Sequence, residues 1–245
     1  MPKQARRLSE SGYLHLIMRG IGRQAIFEER EDYLRFLSTL VRFCEKTEIK
    51  VIAWCLMENH MHLLVRDGQG RTPLMMKKLG VSYSHYFNRK YERCGHLFQD
   101  RYLSEAVDDE VYLLTVFGYI LNNPKKAGIC EAKDYEWSSY GQYERPAPFM
   151  ELSLVRELIG DGACYAEYIG QANDDDCLEY DGPKRDDEWA KRVIEECLDG
   201  KNGIALQTLD RQSRNEALRQ LKARGLTVRQ IERLTGINRS VMQKS

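Results

Sequence analysis

Two apolar runs separated by a two-residue break constrain the fold of this chain most. Val51–Met57 and residues 60–65 flank Glu58-Asn59, which predicts a strand, a tight break and a second short strand. Because successive side chains of a strand point to opposite faces, His60 and His62 project from one face. Two imidazoles on one face are a bidentate site for a divalent metal, although histidines at this spacing also occur at surfaces without binding anything.

The rest of the N-terminal half alternates between strand-like and helix-like segments. The pattern predicts strands at Tyr13–Arg19 and His96–Ser104, and helices over about Glu29–Lys46, from Thr72 to near Arg93, and over Val111–Leu121. Together with the two central strands, this order predicts an α+β domain of the ferredoxin-like or RRM-like kind, an antiparallel sheet with helices on one face. The open face of such a sheet is a common platform for single-stranded nucleic acid.

The overall composition indicates a soluble globular protein. With 245 residues, of which 42% are hydrophobic and 30% charged, the chain has room for one ordinary domain and a second small one. It contains no apolar run as long as a membrane span and no export signal. The seven cysteines are scattered and never form a C-x-x-C pair, so we expect a cytoplasmic protein with reduced thiols.

The charge is distributed unevenly although the net charge is zero. Residues 1–145 carry a net charge of +3, residues 146–200 of −10, and residues 201–245 of +7. The predicted organisation is therefore a domain at 1–148, an acidic connector at 149–186 and a helical domain at 187–245. Within the connector, a helix over Glu151–Gly170 is expected to break at Gly160-Asp161-Gly162, and residues 174–183 are expected to be an exposed loop.

The C-terminal segment has the pattern of a helix-turn-helix. Helices are predicted at Asp187–Leu198, Ser213–Arg224 and Thr227–Leu234, and Asn238 would cap a last helix after a turn at Gly236. In this interpretation three polar residues of the last helix face bases or phosphates: Arg239, Ser240 and Gln243. The alternative is a small helical bundle that only packs on the N-terminal domain.

The predicted helix before Pro124 carries a tyrosine and an asparagine on one face. Tyr119 and Asn123 are four residues apart, and a phenol and an amide oxygen beside two imidazoles suit metal-assisted phosphodiester chemistry. In such a site the metal polarises the phosphate while the tyrosine oxygen attacks. Two alternatives stay open: Tyr119 is a buried aromatic, or Tyr112, on nearly the same face, is the reacting tyrosine.

Four ordered motifs give the chain a family resemblance. Glu58–Val65, Gly95–Tyr102, Gly118–Gly128 and Trp137–Tyr140 resemble the successive motifs of the HUH single-tyrosine transposases, and most of all their REP-associated branch in bacteria. The resemblance covers about residues 10–145.

The resemblance implies a reaction and a role for each site residue. His60 and His62 match the histidines that hold Mg²⁺ or Mn²⁺, Asn123 matches the residue that completes the metal site, and Tyr119 matches the nucleophile. Members of this family cut single-stranded DNA beside a palindromic hairpin, leaving a 5′-phosphotyrosine and a free 3′-hydroxyl. Hairpin DNA is thus the expected partner, acted on by a monomer or a homodimer.

Basic residues near the motifs are candidates for phosphate contacts. Arg101, Lys125 and Lys126 are expected to bind DNA, although Lys125-Lys126 stands where this branch often has Val-Arg. The principal alternative function is a regulator that binds hairpin DNA or RNA without cutting it. A replication initiator or relaxase is less favoured, because the chain has no helicase motif and only one candidate nucleophile.

Overall fold

The chain folds into two compact units in a computed structural model. The structure describes residues 9–171, 177–178, 187–198, 201–224, 226 and 228–237. The first unit spans Met1–Tyr180 and the second Asp181–Ser245. Among the described residues, no helix has both the length and the apolar character needed to cross a bilayer.

The first unit is built on a four-stranded antiparallel sheet. Its strands are β1 (Tyr13–Arg19), β2 (Lys50–Met57), β3 (His60–Arg66) and β4 (Leu103–Ala106). They lie in the order β2-β3-β1-β4, the order of a ferredoxin-like sheet. β1 and β3 are therefore central, and the tight break at Glu58-Asn59 joins β2 to β3 as predicted.

Two long helices cover one face of this sheet. α1 (Arg30–Thr47) and α2 (Thr72–Lys90) pack against each other, and α2 contacts the sheet at β1. A β-carbon placed on Gly80 of α2 would come within 3.3 Å of the Met18 side chain. This approach is possible because glycine has no side chain, and it assigns α2 to the face on which Met18 lies.

A third helix packs on the opposite face. α3 (Glu110–Leu121) begins where the Asp109 carboxylate accepts the backbone N–H of Tyr112 at 2.7 Å, as expected of acidic residues at a helix start. It lies against β2 and β3, and its Tyr119 ring contacts His15 and His62. The fold class is as predicted, but the helices are shared between the two faces, because the face carrying the histidines is covered by α3.

The last strand is shorter than expected. The sequence predicts a strand over His96–Ser104, whereas β4 comprises only Leu103–Ala106. Before β4 the chain meets the end of β1 through a single bridge between Gly20 and Phe98. The residues at 99–101 are Gln99, Asp100 and Arg101, and their polar side chains favour an exposed or partly exposed loop over a regular strand.

The segment predicted as the start of a connector belongs to the first unit. A one-turn helix α4 (Asn123–Lys126) follows α3, and later α5 (Ser153–Ile159) and α6 (Gly162–Gly170) form on either side of the predicted break. Val155, Tyr165 and Ile169 are buried in the same core as the sheet. The domain boundary predicted at residue 148 therefore differs from the division near residue 180. The prediction relied on the net negative charge of residues 146–200 and gave too little weight to the apolar side chains among them.

The second unit is all-helical in its described part. It contains α7 (Asp187–Cys197), α8 (Arg211–Ala223) and α9 (Val228–Thr235), with a short 3-10 helix at Gly203–Gln207. Leu206, Leu218, Leu221 and Ile231 are among the residues of its own buried core. The three helices agree with those expected from the sequence, whereas the last helix of the helix-turn-helix, with Arg239, Ser240 and Gln243, lies outside the described residues.

Candidate active site

The strand register assembles the histidines on one face. In the antiparallel ladder, Arg19 pairs with His60 and Ile17 pairs with His62. Directly opposed residues share a face, so His15, two residues before Ile17 on β1, also lies on this face. The ring centroids of His60 and His62 are 5.0 Å apart, as expected for alternate residues of one strand.

His62 is held by a third histidine that the sequence analysis did not identify. Its Nδ1 lies 3.0 Å from Nε2 of His15, and the two rings stack at 5.3 Å between centroids. Both residues are buried, at 2% and 0% exposure. The sequence feature that could have indicated His15 is the position of a histidine within the otherwise apolar strand β1, which lies at the centre of the sheet.

Burial keeps these two imidazoles neutral at neutral pH. It lowers the pKa of His15 to about 3. The pKa of His62 is lowered well below its usual value, first by burial and then by the neighbouring His60, His15 and Lys126. A neutral imidazole retains the lone pair that binds a metal.

His60 is oriented by the residue before it. Its Nδ1 lies 2.6 Å from Oδ1 of Asn59, and the Asn59 amide nitrogen donates to the Arg23 carbonyl at 3.3 Å, which fixes the amide orientation. An amide oxygen only accepts, so His60 carries its proton on Nδ1. Its Nε2 is then left with the lone pair.

The available nitrogen and oxygen atoms suit a divalent metal for which the protein supplies only some of the ligands. His60 and His62 each use Nδ1 for a hydrogen bond to a neighbouring side chain, as metal-binding imidazoles usually do. Asn123 donates its amide nitrogen to the Tyr119 carbonyl at 3.0 Å, which leaves its amide oxygen as an acceptor. No group of three or more His, Cys, Asp or Glu in the described ranges is arranged to hold a metal, so His15, His60 and His62 do not form a three-histidine site.

Tyr119 lies beside the histidines on the last turn of α3. Its ring contacts His62 edge-on at 5.6 Å and His15 at 5.9 Å between centroids. The residue is 3% exposed. α3 ends at Leu121 and α4 starts at Asn123, close to the stop expected before Pro124. The structure therefore places the Tyr119 ring against His62 and His15.

The basic candidates occupy three different environments. Lys126 is exposed, and its Nζ lies 4.7 Å from the centroid of the Tyr119 ring. Lys125 instead forms an exposed ion pair with Glu131 at 2.9 Å. Arg101 lines a cavity of about 550 Å³ between α2 and residues 95–101. Of the three, Lys126 is the one in contact with Tyr119.

Tyr112 has a different setting from Tyr119. Its hydroxyl donates to the Glu105 carboxylate at 2.6 Å, and Glu105 is the register partner of His15 on β4. Burial, followed by this hydrogen bond, raises the pKa of Tyr112. A phenol that donates to a carboxylate loses its proton less readily to solvent.

Comparison with known proteins finds relatives of the N-terminal unit. Residues 9–123 match the family model described as "Transposase IS200 like". A Haemophilus influenzae protein classed as a REP-associated tyrosine transposase is 27% identical over 123 residues, covering 44% of this chain and 69% of that protein. The span of the family model includes His60, His62, Tyr119 and Asn123.

A solved structure shares the fold. The structure of a REP-associated tyrosine transposase bound to a REP hairpin superposes with a TM-score of 0.52 at 15% identity, over 62% of this chain and 91% of the other. At that identity the match shows the α+β architecture alone. In sequence, residues 9–123 are similar to the IS200-like transposases, and the chain is also similar to a REP-associated tyrosine transposase.

Proposed function

We propose that this chain is a metal-dependent single-stranded DNA endonuclease and strand transferase that cuts beside palindromic hairpin DNA through Tyr119. The observation that carries the proposal is the contact of the Tyr119 ring with His62, 5.6 Å between centroids, on the face that also carries His60. A hairpin partner is supported by the REP hairpin bound to the structural relative.

Different residues would bind the metal and stabilise charge during phosphoryl transfer. His60 and His62, through Nε2, and Asn123, through its amide oxygen, would hold Mg²⁺ or Mn²⁺. When bound, such an ion polarises the phosphate and neutralises developing charge. The ordinary pKa of a tyrosine is near 10, so a cation near the phenol favours the reactive phenolate. The exposed ammonium of Lys126, which lies over the Tyr119 ring, would supply positive charge beside the phosphate.

The covalent step exchanges one phosphodiester bond for another, so the energy of the broken bond is kept in the new bond to tyrosine. The Tyr119 oxygen forms a bond to the scissile phosphorus while the bond from phosphorus to the 3′ oxygen breaks. The phenol loses its proton, and the leaving 3′ oxygen gains one. The products are a 5′-phosphotyrosine and a free 3′-hydroxyl, and attack by a 3′-hydroxyl on this link rejoins strands without an external energy source.

The C-terminal unit would add DNA affinity. Residues 201–245 carry a net charge of +7, which favours contact with phosphates. The helix-turn-helix predicted there would present Arg239, Ser240 and Gln243 to DNA.

A second candidate function is hairpin binding without cleavage. It is favoured by the burial of Tyr119, which is only 3% exposed. In this case the same face would bind hairpin DNA or RNA as a regulator.

A denaturing gel separates the two functions. End-labelled single-stranded hairpin DNA from the flanks of the gene is incubated with the protein and Mn²⁺ or chelator. The transposase hypothesis expects a protease-sensitive, metal-dependent covalent species that Tyr119→Phe abolishes without loss of binding. Tyr112→Phe, two turns earlier on α3, is the matched control and should retain the adduct. A mobility shift without any covalent species under Mn²⁺ would favour the non-cleaving regulator.

A further inference from the structure

A third histidine shares a short contact with one of the paired histidines. His15 on β1 and His62 on β3 lie on one face of the sheet, and Nε2 of His15 is 3.0 Å from Nδ1 of His62. Both side chains are buried. A nitrogen–nitrogen contact of this length is a hydrogen bond, with one ring donating and the other accepting.

The direction of this hydrogen bond decides what His62 can bind. A neutral imidazole has one proton, on either Nδ1 or Nε2. If His62 donates from Nδ1 to His15, then Nε2 of His62 retains its lone pair for a metal. If His15 donates instead, the proton of His62 lies on Nε2, and that nitrogen no longer binds a metal.

The environment of the other ring nitrogen of His15 indicates that this histidine does more than fill space in the core. If His15 accepts at Nε2, its own proton is on Nδ1, and that atom is buried without a hydrogen-bond partner in the described part of the chain. A buried polar atom left without a partner costs about 1–3 kcal/mol. An apolar side chain at this position would avoid that cost, so packing alone does not account for a histidine here.

The neighbouring ligand is oriented by the same kind of contact. Asn59 accepts from Nδ1 of His60 through its amide oxygen, and an oxygen there permits only the Nδ1-protonated form of His60. His15 occupies the corresponding place for His62. Unlike an amide oxygen, an imidazole can both donate and accept. Whether His62 carries its proton on Nδ1 or on Nε2 therefore depends on which ring of the His15–His62 pair donates.

We propose that His15 is a positioning residue that holds His62 with its proton on Nδ1 and thereby presents Nε2 of His62 to the divalent metal. The proposal rests on the metal-dependent function proposed above. His15 itself contacts neither metal nor DNA in this scheme. It acts by orienting a ligand, as hydrogen-bonding partners of metal-bound histidines do in general.

The first test is spectroscopic and needs no activity. In the metal-free full chain labelled with ¹⁵N-histidine, NMR at neutral pH should place the His62 proton on Nδ1 and the His15 proton on Nδ1. In His15→Leu, the His62 signals should shift towards the Nε2-protonated form. His85→Ala, which removes an exposed histidine, should leave them unchanged. A wild-type His62 protonated on Nε2 would overturn the proposal.

The second test measures Mn²⁺ affinity by titration calorimetry. Loss of such an orienting partner typically lowers metal affinity about 10- to 100-fold, and this is the effect expected for His15→Leu. His15→Gln, whose amide oxygen accepts from Nδ1 of His62, should retain most of the affinity. Equal affinity in His15→Leu and wild type would overturn the proposal, as would equal losses in both variants, which indicate a merely structural residue.

The two tests separate this inference from the proposed function. Absence of Mn²⁺ binding in the wild type would overturn the metal site itself. The NMR result on the metal-free chain would still decide the state of His62, because it depends only on the contact with His15.

Discussion

At the scale of single residues, the two adjacent lysines after Pro124 have different environments. Lys126 lies over the Tyr119 ring, whereas Lys125 is paired with Glu131. We expect Lys126→Ala to slow adduct formation and to weaken single-stranded DNA binding, because it removes a cation beside the proposed nucleophile, Tyr119. If Lys126 contacts one phosphate, the salt dependence of binding should fall by about one unit of slope.

Lys125→Ala is the matched control for this effect. Exposed ion pairs contribute about 0–1 kcal/mol, so its loss should change adduct formation and binding little. Filter binding at several salt concentrations, together with a time course of the adduct, measures both quantities. Equal effects of the two substitutions would contradict a special role for Lys126.

A second residue-scale expectation concerns Asp32, a buried carboxylate on α1. Burial would raise the pKa of Asp32, but hydrogen bonds from Lys90, Tyr91 and two backbone N–H groups lower it to about 2. Because the folded pKa is below the ordinary value of 3.8, the resulting stability is complete above pH 3.8 and is lost as the pH falls towards 2.

Asp32→Asn should therefore lower the free energy of unfolding by about 2 kcal/mol at pH 7. Urea unfolding at pH 7 and thermal unfolding between pH 4 and 2.5 should show the difference from wild type shrinking as the pH falls. Asp134→Asn, at an exposed position, should change stability by less than about 0.5 kcal/mol. A difference for Asp32→Asn that stays constant down to pH 2.5 would be inconsistent with this pKa.

The sequence indicated some site residues and not others for physical reasons. His60 and His62 were predictable because strand alternation alone puts them on one face. His15 lies 47 positions away from His62 in the chain and meets it only through the register of β1 with β3. Strand register is a tertiary property, and this explains why the alternation pattern of β1 did not single out His15.

At the scale of elements, α6 stabilises the first unit and indirectly the site. Tyr165 on α6 stacks on Tyr143 at 3.9 Å between centroids and donates its hydroxyl to the Tyr140 carbonyl at 2.9 Å. The carbonyl of Ile169, also on α6, accepts the side chain of Asn122 at 2.9 Å. The turn between α3 and α4, next to Asn123, is thus braced by α6.

Tyr165→Ala should lower the free energy of unfolding by about 3 kcal/mol or more, as for other buried aromatic residues. Leu158→Ala on the neighbouring α5, where the side chain is 37% exposed, should have a much smaller effect. Urea unfolding of the full chain measures both. An unchanged stability in Tyr165→Ala would support the organisation predicted from the sequence, in which residues 149–170 belong to a connector.

The elements were predictable where local signals are strong. The start of α3 follows from Asp109 and its end from Pro124, and the structure agrees with both within one or two residues. The placement of α3 on the face opposite to α1 and α2 was not predictable, because α3 is apolar almost all round, with residues 116–121 all buried. A helix without a clear polar face does not indicate which surface it packs on.

At the scale of the whole molecule, the two units differ in charge. The division at residue 180 separates His60, His62 and Tyr119 from the basic C-terminal residues, and the second unit has its own buried core. Contacts between basic residues and phosphates strengthen DNA binding and make it depend on salt. Removing the second unit should therefore lower the affinity for DNA more than it lowers formation of the covalent adduct.

A chain that ends at Tyr180 should retain the Tyr119 adduct at saturating hairpin DNA, with weaker binding and a shallower salt dependence. Filter binding and the denaturing gel measure the two effects separately. Loss of the adduct even at saturating DNA would mean that the second unit takes part in the reaction. Unchanged affinity and salt dependence would assign no DNA contact to it.

The most direct measurement of the central hypothesis is the location of the covalent link by mass spectrometry. After reaction with hairpin DNA and Mn²⁺, nuclease treatment and trypsin digestion release one peptide, Tyr102–Lys125, that contains Tyr102, Tyr112 and Tyr119. Fragmentation of this single peptide compares the three tyrosines directly. The proposed function requires the nucleotide phosphate on Tyr119. A phosphate on Tyr112 or Tyr102, or a cut hairpin without any modified tyrosine, would contradict it.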